Sequence, residues 1–194
     1  QVFTFKKPSI NVLKEMIVGV AKKEKFKIDA AGAELIATLG DGSFRDAHGV
    51  MQKIMSFSKD NEISLAEIES VTGAPSGRLV NEFIRSVAEE DMSLGLQTIR
   101  KASGENIEMN IFLKILLQKL RVILLMRYAP EISAELVESL TEDDREFIAK
   151  ILQAKTNKIT SKTLEILLEA GELMRYASVK ELPLELALVK ILDK

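Results

Sequence analysis

Apolar residues recur every three to four positions along almost the whole chain, the spacing of helices that bury one face. Ser9 stands where an N-cap would open the first helix, with Ile10, Leu13, Ile17 and Val20 on one side. Lys22, Lys23, Lys25 and Lys27 follow at its end, where a helix dipole favours cations. A patch for DNA phosphates is the other use such lysines could have. Asp29 predicts a second helix carrying Ala33, Ile36 and Leu39, stopped by Gly40-Asp41-Gly42. Ser43 then predicts a third, running to about Ser58, with Phe44, Ala47, Met51, Ile54 and Phe57 on its inner side. Ser64 and Glu67 have capping-box spacing and open a short helix that ends near Gly73. Only Val2 to Phe5 alternates as a strand would.

The run Gly73-Ala74-Pro75-Ser76-Gly77 breaks both periodicities and predicts a boundary between domains 1–74 and 75–194. Beyond it, Leu79, Phe83 and Val87 mark one helix, and Met92, Leu96 and Ile99 another that ends near Gly104. Met109 to Tyr128 is apolar on nearly every side, so other helices must surround it. Thr141 and Thr160 cap two more, the first with Phe147, Ile148, Ile151 and Leu152, the second with Leu164, Leu167 and Leu168. The last follows Leu182-Pro183. The predicted fold class is all-α, about ten helices in two domains, with no fixed repeat that would make a solenoid.

Composition narrows the chemistry. At 46% hydrophobic and 29% charged, the 194 residues are those of a folded globular chain. A formal net charge of -2 supplies no global reason for a nucleic-acid or membrane partner. Zero cysteines remove disulfides, thiolate nucleophiles and Cys-ligated metals together. The single histidine, His48, would have to carry any His-based triad or zinc site, and it reads as a polar helix residue. Neither a phosphate-binding P-loop nor a Rossmann glycine fingerprint is present. No catalytic residue is predicted in this stretch, which on its own is not expected to act as an enzyme, and no metal ligands are predicted either.

The informative residues are Asp41-Gly42-Ser43-Phe44-Arg45-Asp46-Ala47. With Ser43 as N-cap, Arg45 projects from a first helical turn, where the dipole disfavours a cation. Either an anion compensates, held by free backbone donors and the guanidinium fork, or Asp41 or Asp46 pairs with Arg45 at the surface.

Gly42 to Ala47, in this setting, resembles the sensor-2 motif of AAA+ clamp-loader ATPases. More narrowly, the chain is similar to the gamma/tau subunit family of bacterial DNA polymerase III over essentially its full length. Val2-Phe3-Thr4-Phe5-Lys6 looks like the last strand of that family's nucleotide-binding domain, Thr72-Gly73 like the close of its helical lid, and Leu182 to Leu188 like the end of its collar. Phe44 departs from the more familiar aliphatic residue and leaves the arginine in place.

The resemblance implies that residues 1–74 form a lid over ATP and Mg, which a preceding domain with the Walker motifs, zinc module and arginine finger mainly holds. Arg45 would then reach the terminal phosphate, and Phe44 would line the nucleotide pocket or the lid's own core. Residues 75–194 would be the collar that joins other clamp-loader subunits, within an assembly that places the sliding clamp on primed DNA in the bacterial cytoplasm. The full-length chain would be a clamp-loader ATPase of the DNA-directed DNA polymerase holoenzyme. The alternative is a structural helical adaptor with no nucleotide role.

Overall fold

The computed structural model describes residues 6–131, 137, 140–154 and 158–193, so the alternating stretch Val2 to Phe5 lies outside the described residues. The chain divides into two compact units, one ending at Ala74 and the other opening at Pro75.

The first unit contains α1 (Ile10–Lys23), β1 (Lys27–Ile28), α2 (Ala30–Leu39), α3 (Phe44–Phe57), β2 (Glu62–Ile63) and α4 (Leu65–Thr72). Each helix starts on a polar cap: the side chains of Ser9, Asp29, Ser43 and Ser64 accept from backbone amides three residues ahead. Ser64 and Glu67 complete the reciprocal capping box. Gly73 ends α4 at φ 70°, a left-handed conformation that suits a residue without Cβ. Leu13 and Ile17 of α1, Ile36 of α2, Met51 and Ile54 of α3 and Ile68 of α4 close one buried core.

The second unit holds α5 (Gly77–Ala88), α6 (Met92–Gly104), α7 (Met109–Tyr128), α8 (Glu142–Gln153), α9 (Ser161–Met174) and α10 (Leu182–Leu192). Its core is anchored by Phe83 of α5 and Phe112 of α7, whose rings meet edge to face at 5.9 Å, a favoured aromatic geometry. One cation enters this apolar setting with two acceptors to receive it. Lys119 of α7 donates to Asn81 Oδ1 at 2.8 Å and to Asp144 Oδ1 at 2.6 Å, tying α5 and α8 to the central helix. Pro183 falls within the first turn of α10, where its missing amide breaks no helical bond.

The all-α architecture stands, with three corrections to the sequence expectations. The strand pair is Lys27–Ile28 parallel to Glu62–Ile63, far from the N-terminal stretch that alternates. Two-residue strands are too short to show a period, and their pairing joins positions 35 apart, so no local pattern announces them. Phe44 and Phe57, expected on the inner side of α3, are 50% and 56% exposed. At 100° per residue Phe57 falls roughly 90° from the Ala47–Met51–Ile54 stripe, and Phe44 is the first residue of the helix, before neighbours can flank it. Finally, α7 is buried along one stripe, Met109, Phe112, Leu113, Leu116, Leu120 and Ile123, while its other apolar residues are half-buried and Tyr128 is exposed.

Candidate functional site

The first turn of α3 is set by the tight junction behind it. At Gly40 the helices come so close that an added Cβ would lie 2.6 Å from Cβ of Ala47 and 2.9 Å from its Cα, inside contact distance with backbone. Asp41 and Gly42 then turn the chain through left-handed backbone at φ 52° and 72°, which Asp tolerates and Gly adopts freely. Ser43 N donates to the carbonyl of Gly40 at 2.9 Å, closing the turn. The direction of α3 is therefore fixed by backbone geometry.

Ser43 Oγ accepts from the amide of Asp46 at 3.2 Å. A helix start leaves its first amides without helical partners. Here the amides of Phe44 and Arg45 are the ones still open among the described residues. Arg45 is exposed, and its guanidinium has no hydrogen bond or ion pair among the described residues. Among the described residues Arg45 pairs with neither Asp46 nor Asp41, the surface alternative. The side chain of Lys7 runs past the same turn, its Cδ 3.3 Å from where a Cβ on Gly42 would sit. The aliphatic stem of Lys7 thus borders the turn into α3, whose first residues expose the ring of Phe44 and the guanidinium of Arg45. Open amides, a helix N-terminus and a forked cation are the donor set that an anionic oxygen cluster accepts.

The other candidates lead to less. Lys22, Lys23 and Lys25 are exposed, and their ammonium groups have no carboxylate partner among the described residues. Lys27 is spoken for: Glu62 Oε1, 2.7 Å away across the strand pair, accepts from its Nζ and holds it above the usual lysine range. His48 is exposed at a hollow of about 360 Å³ lined also by Glu24, Phe26, Gln52 and Met55. Among the described residues no group of three or more His, Asp or Glu could hold a metal ion, and no helix is long and apolar enough to cross a membrane. On α4, burial pushes the Glu69 carboxyl above the usual carboxylate range. Sequence periodicity did not reveal the Lys119 clamp or the Lys7 contact, because both depend on side chains meeting between separate elements.

Known proteins resemble this chain over long stretches. The sequence profile of DNA polymerase III subunits gamma and tau domain III matches residues 63–193. The chain is 21% identical over 191 residues to the Bacillus subtilis DNA polymerase III subunit tau, covering 98% of this chain and 33% of that protein. It is 28% identical over 114 residues to the Mycoplasma genitalium DNA polymerase III subunit gamma/tau, covering 59% of this chain and 19% of that protein. The chain therefore spans about a third or less of these relatives. In fold it is similar to a Bacillus subtilis DNA clamp loader delta protein, with a TM-score of 0.51 and 20% identity, over 98% of this chain and 58% of that one.

Proposed function

The chain belongs to the family of DNA polymerase III subunits gamma and tau, and on that premise we propose that residues 1–74 are the helical lid of a clamp-loader ATPase and residues 75–194 its collar. The observation that carries the reading is Arg45, a guanidinium held in solvent in the first turn of α3 with no partner among the described residues. In the longer protein it reaches the terminal phosphate of ATP, which a preceding domain binds with Mg.

The fit rests on this chain's own donors. Arg45 and the open amides of Phe44 and Arg45 supply hydrogen bonds to phosphate oxygens, and Ser43 keeps the helix start ordered while they do so. Phe44 offers its exposed ring to the rim of the nucleotide pocket. ATP, when bound, supplies the charge that draws the lid closed. Because the Arg45 contact exists only with the terminal phosphate in place, nucleotide state and lid position become coupled. The collar joins other clamp-loader subunits, and the assembly opens the sliding clamp and releases it on primed DNA in the bacterial cytoplasm.

Arg45→Ala in the complete subunit is expected to lower ATP-dependent clamp loading while leaving helix content and assembly unchanged. Loading at the wild-type rate would refute the lid assignment. It would favour a structural helical adaptor, which needs no cation at this position.

A further inference from the structure

From Leu173 to Val189 the second unit exposes an apolar residue at every third or fourth position: Leu173, Tyr176, Val179, Leu182, Leu186 and Val189, each between 41% and 85% exposed. The run starts in the last turn of α9, crosses the connection and continues along α10. On α10, Leu182, Leu186 and Val189 lie on the side away from the buried stripe of Leu184, Ala187, Leu188 and Ile191, about 180° round the helix. The core needs none of the three. We propose that this run is the face against which a second copy of the same helical unit packs, an inference that rests on the collar reading above and gives that collar its contact residues.

Area and charge decide the occupant. At roughly 100 Å² of apolar surface for a fully exposed Leu or Val side chain and roughly 200 Å² for a Tyr, the six, scaled by exposures of 41% to 85%, present roughly 400 Å². That is close to the nonpolar part of the roughly 800 Å² each partner brings to a standard protein interface. The cations along the run are all engaged. Lys190 Nζ is 2.7 Å from Glu169 Oε2, Arg175 Nη1 is 3.5 Å from Glu172 Oε2, and Lys180 Nζ donates to the carbonyl of Met174 at 3.2 Å. The run therefore carries no cluster of unpaired cations of the kind that nucleic-acid phosphates or lipid headgroups require. With two of the three cations paired with carboxylates, little like-charge repulsion opposes the approach of a second copy. The connection is held in shape from beneath, since Ser103 on α6 donates to Glu181 at 3.1 Å.

The test uses the complete protein, with its assembly followed by mass photometry over a concentration series and its fold by thermal melting. Leu186→Glu is expected to raise the concentration for half-assembly at least tenfold. Tyr176→Ser, at the most exposed position of the run, is expected to weaken assembly in the same direction without touching the fold. Leu168→Glu, exposed on α9 but about 140° round that helix from Leu173, should change nothing. Assembly of both Leu186→Glu and Tyr176→Ser at wild-type concentration overturns the proposal and leaves the collar reading standing, as does equal disruption by Leu168→Glu. A wild-type protein that never assembles, alone or with other clamp-loader subunits, overturns the collar reading as well.

Discussion

The first turn of α3 and the outer side of α10 both leave side chains in water, and they are built differently. At α3 a close-packed glycine, a left-handed turn and a serine cap fix the backbone from which Arg45 and two open amides project, beside the exposed ring of Phe44. At α10 no single group stands out. Six apolar side chains are spread over the end of one helix, a connection and the next helix, with two of the three nearby cations paired with carboxylates and the third bonded to a backbone carbonyl. A site that distinguishes one phosphate needs position, and positional control comes from backbone that cannot relax. A surface that holds another protein needs area, and area comes from repetition. On the proposed reading, the two units divide sensing from assembly by different physical means.

The contrast can be broken most severely through the second unit's core. Phe112→Ala removes a fully buried ring from the edge-to-face pair with Phe83, and should cost about 3–5 kcal/mol. Hydrogen exchange should show protection lost across 75–194 while 1–74 retains it; equal loss in both would mean that the units do not fold separately. Gly40→Ala should act on the first unit instead, by about 1–3 kcal/mol, since the new Cβ would collide with the backbone of Ala47. Denaturant unfolding reads that loss, and the displaced start of α3 should weaken nucleotide response along with stability.

The smallest expected effect belongs to Glu69. Burial raises its carboxyl pKa in the folded state, so the folded protein binds the proton more tightly and loses stability as pH rises through the carboxylate range. Glu69→Gln should therefore melt slightly higher than wild type at pH 7 and show no such gain below pH 4. An identical difference at both pH values would mean that the side chain's burial is not what matters.

Much of this molecule could be read along the chain. Ser9, Asp29, Ser43, Ser64 and Thr141 all cap the helices their positions predict, because a cap needs only a short polar side chain three residues from a backbone donor. Arg45 was legible for the same reason: its place in the first turn follows from Ser43 alone. What escaped depends on contacts between elements. The β1–β2 pair, the Lys119 clamp and the exposure of Phe44 and Phe57 are decided by which neighbours reach a position, and periodicity assigns a face without saying where the covering helix ends. The outward apolar run along α10 was hidden by its own chemistry, since leucines on both sides of a helix read as core.

The most direct test compares two nucleotides in the complete subunit. If Arg45 reaches the terminal phosphate, Arg45→Ala should weaken ATP binding about tenfold, the value of one charge-assisted hydrogen bond, and leave ADP binding unchanged. Equal losses for ATP and ADP, or no loss for either, would contradict the assignment of Arg45 as the residue that senses that phosphate.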